Sequence, residues 1–143
     1  MSYNREESLN YLLTKVFKLR HIKLHTMLTE LGMHPGQHSI LFLLWEKDGQ
    51  TQKELCNGVM IKPSSITVVL GRMEKSGLIT RKTDVDDKRV SRVYLTEKGK
   101  KIQKEVEEAL MKIEEKCYGN FTETEKKQYK DFLLRIKANL EKK

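Results

Sequence analysis

Cysteine is nearly absent from this 143-residue chain: its two thiols, Cys56 and Cys117, form no Cys-x-x-Cys and are too few for a disulfide framework. A reducing cytoplasm is therefore the expected compartment. Long apolar runs are missing as well. The longest, residues 40–45, falls far short of the ~20 residues that cross a bilayer, so no membrane partner is expected. The start, Met1-Ser2-Tyr3-Asn4-Arg5-Glu6-Glu7, is polar and acidic where an export signal needs a basic start followed by an apolar stretch. Neither a Gly-rich phosphate loop nor a recognisable nucleophile–base arrangement is present, so no enzyme activity and no cofactor are expected. The sequence also lacks internal repeats and low-complexity segments.

What is abundant is positive charge. Twenty-eight Lys and Arg against twenty Asp and Glu leave a formal net charge of +8, with 34% of residues charged. Such a balance points to a polyanionic partner; composition alone leaves open that the surplus lysine only aids solubility. The length suits one domain with a core of ordinary size.

Apolar residues at three- and four-residue spacing (Leu9, Leu12, Leu13, Val16, Phe17, Leu24) predict an amphipathic first helix from residue 9 to about 31, stopped by Gly32. Pro35 suits the first turn of a second helix, apolar nearly all round over residues 40–45 and ended by Asp48-Gly49. Thr51-Gln52-Lys53-Glu54 has the form of a capping box and starts a short third helix. In the fourth segment Ile66, Thr67, Val68 and Val69 are β-branched and favour a strand. Periodicity overrides them: Ile66, Val69, Leu70 and Met73 share one helical face, Pro63 fits the first position and Gly77 the stop, predicting a helix over 62–76. Two strands follow, 79–83 and 91–95, joined by a charged tip. From Thr96 a long fifth helix carries Ile102, Val106, Ala109, Leu110 and Ile113, broken near Gly119-Asn120. Thr122-Glu123-Thr124-Glu125 then caps a sixth helix with the stripe Tyr129, Phe132, Leu133, Ile136 and Leu140.

Helix, turn, helix and charged hairpin in that order read as a winged helix-turn-helix. The fold class is mainly α with a small β-hairpin wing. The face of the fourth helix opposite its apolar stripe carries Ser64, Thr67, Val68, Gly71, Arg72 and Lys75, and Ser65 is a further candidate DNA contact. Small and hydroxylated side chains let a helix approach base edges and phosphates, Arg72 can reach guanine bidentately, and Val68 can meet a thymine methyl. At the tip, Lys88 and Arg89 suit a narrow minor groove, with Asp87 placed to hold the Arg89 guanidinium in direction. The expected partner is double-stranded DNA.

These same segments carry a family resemblance. His34-Pro35-Gly36-Gln37 before an apolar helix, Gln52-Lys53-Glu54-Leu55, the Pro63 helix with Met73-Glu74-Lys75-Ser76-Gly77-Leu78-Ile79, and Asp87-x-Arg89 leading to Leu95-Thr96-Glu97-Lys98-Gly99 resemble a MarR-type transcriptional regulator over essentially the whole chain. Two positions depart from that pattern: Val68 stands where a basic residue is common, and Val85 where a wing proline is common. The resemblance implies the same wing roles, a dimer, repression, and release from DNA by a small aromatic or phenolic effector that alters the spacing of two lobes.

The chain-end helices have apolar stripes without enough partner surface in a compact DNA-binding lobe, which by itself points to a two-fold homodimer, a monomeric bundle being the alternative. One domain, 1–143, is thus expected to comprise dimerisation helices at 1–33 and 97–143 around a winged-helix lobe at 34–96. Phe17, His21, Phe42 and Trp45 are candidate walls of an effector pocket, against the commoner fate of filling the core. The rival function is a metal- or redox-responsive sensor using His21/His25 and His34/His38, both at i, i+4 spacing, or Cys56 and Cys117. No acidic or thiol cluster obviously completes such a metal site.

Overall fold

The computed structural model describes residues 2–34, 36–59 and 61–143. Seven helices and three strands are seen among them: α1 (Leu9–Glu30), α2 (Gln37–Glu46), β1 (Gln50–Thr51), α3 (Gln52–Val59), α4 (Pro63–Lys75), β2 (Ile79–Thr83), β3 (Ser91–Leu95), α5 (Glu97–Lys101), α6 (Gln103–Tyr118) and α7 (Glu123–Glu141). Among the described residues no helix is long and apolar enough to cross a membrane.

The glycine stops act through one repeated device. At the end of α1, Gly32 (φ +79°) donates its N–H to Thr29 O and Met33 donates to Leu28 O. At the end of α4, Gly77 (φ +80°) donates to Glu74 O and Leu78 to Met73 O. Each left-handed glycine satisfies carbonyls the helix leaves open, and the residue after it turns into the core. Leu28, Met33, Met73 and Leu78 are all buried. The expected role of Pro35 at the start of α2 lies outside the described residues; Gly36 (φ +86°) is the N-cap of α2.

Burial decides the fourth segment against its β-branched composition. Ile66, Leu70 and Met73 are wholly enclosed while Thr67 and Val68 face out, a period of three to four that a strand cannot produce. With α2, α3, the inner end of α1 and the face of α6 bearing Val106, Ala109 and Ile113, this helix closes one continuous core. Both expected strands occur at the expected residues, paired antiparallel with Ile79 opposite Leu95 and Thr83 opposite Ser91.

Two expectations need correction. The sheet has three strands, order β1-β3-β2, because Gln50 and Thr51 pair with Val93 and Arg92 before α3 begins. A two-residue strand has no periodicity of its own; only the distant partner makes it one. The long fifth helix is two, α5 and α6, meeting at Ile102 (φ −72°, ψ −11°). An unbroken helix would direct the Gln103 N–H to the Gly99 carbonyl. That carbonyl instead accepts the Trp45 indole Nε1–H at 2.9 Å.

The start of α5 is knotted to the end of α4. Thr96 Oγ1 donates to Gly77 O and accepts the Gly99 N–H, and Lys98 Nζ donates to Ser76 O at 2.8 Å. Gly99 packs so closely that a Cβ there would overlap the Leu78 carbonyl oxygen. At the other end of the chain, Thr122 and Glu125 form the expected reciprocal cap of α7, with bonds of 2.9 and 3.1 Å. No residue of α7 is buried, and Leu9, Leu12, Leu13, Val16 and Phe17 on the outer part of α1 are likewise exposed.

Candidate nucleic-acid interface

On α4, Ser64, Ser65, Thr67, Val68, Arg72 and Lys75 are all exposed, while the opposite face is sealed in the core. Rigid burial of one face fixes where the other points. No side chain caps the N-terminus of α4, so its positive end is open towards an anion. Glu74, the one carboxylate on this helix, is occupied by Arg81 of β2 at 3.1 Å.

Thr67 differs from its expected role as a hydroxyl for phosphates. Its Oγ1 donates to Pro63 O at 3.1 Å and accepts from Gln52 Nε2 of α3 at 2.7 Å. Its only hydroxyl proton is spent within the protein.

The wing is ordered by carboxylates. Asp87 holds Arg89 through two of its three side-chain nitrogens, Nε to Oδ1 at 3.1 Å and Nη2 to Oδ2 at 3.2 Å, and also accepts the Arg89 backbone N–H at 3.0 Å. The Arg89 side chain is nonetheless 91% exposed. Such a bidentate pair on the surface contributes little to stability but sets the direction of the guanidinium. Lys88 stands exposed beside it.

Asp84 and Arg92 were not anticipated. Asp84 Oδ2 accepts the backbone N–H groups of Asp86 and Asp87, shaping the turn, and Asp84 Oδ1 takes Arg92 Nε at 2.6 Å. Arg92 Nη1 then donates to Gly49 O, joining the wing root to the loop before β1. The Arg92 hydrogen bond, followed by that of the Asp87 amide, holds the Asp84 carboxyl below its usual range; Arg89 does the same for Asp87. An Asp at the first position of a tight turn is a legible signal, since Asx side chains bond the backbone two residues on. Its arginine partner, eight residues away across the hairpin, is not. Between α3, the start of α4 and the wing root lies an open cleft of about 750 Å³ whose polar lining includes Gln52, Lys53, Asn57, Arg89 and Ser91.

The four expected pocket residues fall into two pairs, Phe42 with Trp45 and Phe17 with His21. Phe42 lines a surface groove of about 480 Å³ together with Arg20, His38, Ser39, Leu43 and Leu110. Trp45 contacts Phe42 edge-on at 5.0 Å, yet its indole is committed to Gly99, and Phe17, 64% exposed, stacks along α1 on His21. His38 is expected from the sequence only in the metal-sensing alternative, and Arg20 falls on the periodic face of the first helix, where a cation carries no signal of a groove. Burial, then the nearby Arg20 and His21 charges, push the His38 pKa below its ordinary value, and His38 Nδ1 is buried without a hydrogen-bond partner among the described residues. Among the described residues no three His, Cys, Asp or Glu side chains converge as a metal site. Cys56 is buried and Cys117 half-buried.

The MarR family model matches residues 33–91 of this chain. Over 73 residues the chain is 37% identical to the organic hydroperoxide resistance transcriptional regulator of Bacillus subtilis strain 168, a match covering 51% of this chain and 50% of that protein. The fold is similar to the MarR protein from Peptoclostridium difficile, at 25% identity and a TM-score of 0.82 over 98% of this chain and 92% of the other. It is also similar to the PcaV transcriptional regulator from Streptomyces coelicolor, solved in complex with its natural ligand, at 19% identity and a TM-score of 0.83 over 99% of each chain. With an outward polar helix face, a braced cationic wing and this set of relatives, residues 33–91 form a MarR-family domain, a module of DNA-binding transcription regulators rather than of enzymes.

Proposed function

We propose that this protein is a cytoplasmic homodimeric repressor of a pseudo-palindromic operator, released by a small aromatic anion. Residues 34–96 form the DNA-binding lobe, and 1–33 with 97–143 supply the dimerising helices. Two copies of α4 enter successive major grooves about 34 Å apart, with the wings in the flanking minor grooves. Arg72 reads a base; Ser64, Ser65 and Lys75 engage phosphates; Val68 meets a thymine methyl; Lys88 and Arg89 enter the minor groove. The observation that carries this reading is the pairing of a helix sealed on one face and polar on the other with a wing arginine fixed in direction yet fully exposed.

The effector reading is supported by the groove holding Phe42, Arg20 and His38, where a cation and an imidazole flank an aromatic wall. The ligand-bound form of the PcaV regulator belongs to a protein of the same fold. A ligand in such a groove acts only through unequal affinity for the DNA-competent and incompetent arrangements.

The test is selection of bound sequences from randomised duplexes, repeated with Arg72→Ala. The wild type should recover an inverted repeat, and the variant should lose about 1 to 3 kcal/mol and its preference at particular base pairs. An unchanged preference would remove Arg72 from base reading. A salicylate-like compound titrated against the complex should release DNA and alter Trp45 fluorescence.

A further inference from the structure

We propose that Gln52 is a positioning residue for base readout and that Thr67, locked by it, reads a thymine with its methyl group. This rests on α4 being the recognition helix.

Gln52 is the first residue of α3, half-buried, and its amide reaches across to α4 to donate to Thr67 Oγ1 at 2.7 Å. Thr67 passes its own proton to Pro63 O, one turn back along α4. A hydroxyl has one proton and two acceptor sites. Here the proton and one acceptor are consumed, so Thr67 has nothing left to donate to guanine O6 or N7, to adenine N7, or to a phosphate. Because threonine is branched at Cβ, fixing Oγ1 at two points also fixes Cγ2. What an exposed Thr67 offers DNA is therefore a methyl group in one orientation and a single lone pair.

The next residue extends this apolar step. Val68 is 53% exposed and has only methyl groups to present. Between the hydroxyl of Ser64 and the guanidinium of Arg72 the face thus has a donor-free centre. In the major groove such a centre matches the thymine C5-methyl, which no other base carries. The remaining Thr67 lone pair would instead accept from cytosine N4 or adenine N6, and the two possibilities separate experimentally.

The experiment takes the sequence selected by the wild-type dimer and replaces each thymine in turn by deoxyuridine, which removes only the methyl group. Affinities are measured for wild type, Thr67→Ser, Thr67→Val and Gln52→Ala, with circular dichroism and melting temperature as controls. One thymine in each half-site should cost the wild type about fourfold when demethylated, the scale of one buried methyl-sized group. Thr67→Ser, which keeps the hydroxyl and loses the methyl, should be insensitive at that position alone. Thr67→Val, which keeps a methyl and loses the brace, should remain sensitive there while binding more weakly overall. Gln52→Ala should retain its melting temperature and lose part of the discrimination, because one of the two bonds that fix the Thr67 rotamer is gone and its lone pair is free to accept. A purely structural Gln52 would leave the thymine–deoxyuridine ratio unchanged, and that result overturns the proposal. So does a Thr67→Ser protein as sensitive as wild type at every thymine, or a selected site with no sensitive thymine. A wild type that selects no sequence is a separate failure, of the recognition-helix reading itself, and it is seen before any variant is compared.

Discussion

Replacing Leu133 and Ile136 by alanine should weaken association of the two protomers by two to three orders of magnitude while leaving each folded. In the single chain these side chains are 41% and 46% exposed, on a helix with no buried residue. Covering a whole leucine or isoleucine is worth about 1.5 to 3 kcal/mol, so the area still open on each is worth roughly 1 kcal/mol. Two-fold symmetry places four such side chains in the interface, giving about 3 to 4 kcal/mol, and each 1.4 kcal/mol is tenfold in Kd. Sedimentation across a dilution series measures that shift directly, with far-ultraviolet circular dichroism reporting retained helix. Leu133→Asp with Ile136→Asp is the harsher form: unpaired carboxylates cannot be buried at a cost below several kcal/mol, so monomers are expected at all accessible concentrations. An alanine variant with the wild-type Kd would show that α7 is not the dimerising surface, and that the exposed stripe is covered in some other way.

Arg89→Ala should weaken operator binding and reduce the salt dependence by about one unit of log–log slope per wing, and equal slopes for variant and wild type would contradict minor-groove insertion. Gly99→Ala should destabilise the fold by about 1 to 3 kcal/mol, since its Cβ meets the Leu78 carbonyl rather than a side chain that can swing away; thermal melting reads the effect, and an unchanged melting temperature would mean the α4–α5 junction yields easily. His38 adds a pH dependence of definite sign. Its folded pKa lies below the ordinary 6.5, so the unfolded chain takes up a proton first, and stability is full above about 6.5 and declines as pH falls towards the folded value. His38→Phe should flatten denaturant midpoints between pH 7.5 and 5.5, and a midpoint falling as steeply as in wild type would place the titration elsewhere.

Much of this architecture is legible in the sequence because its signals are local. The two wing strands, the capping box at Thr122 and the stops at Gly32 and Gly77 each rest on residues within a few positions of one another. Helix α4 is the instructive case: four β-branched residues in a row carry the wrong propensity, and the spacing of Ile66, Leu70 and Met73 carries the right answer because burial outweighs propensity. What is not legible depends on partners remote in the chain. β1 exists only against β3, the break at Ile102 reflects a tryptophan more than fifty residues upstream, and the commitment of Thr67 is set by Gln52. The placing of the expected pocket residues depends on remote partners in the same way. Aromaticity identifies plausible walls, but only folding brings Phe42 to Arg20 and His38 while sending Trp45 to Gly99 and Phe17 to the surface.

The knot between Ser76-Gly77-Leu78 and Thr96-Lys98-Gly99 makes α4 and α5 parts of one mechanical link. α6, sixteen residues long, is hinged on that link at Ile102. A helix of that length is a lever arm of about 24 Å, and a tilt of about 5° moves its far end by about 2 Å. In the proposed dimer, torque applied to α6 and α7 by a second copy would therefore arrive at α4 as displacement of a rigid body, without passing through the hairpin. The wing, anchored separately through Arg92 and Gly49, is carried along as a passenger.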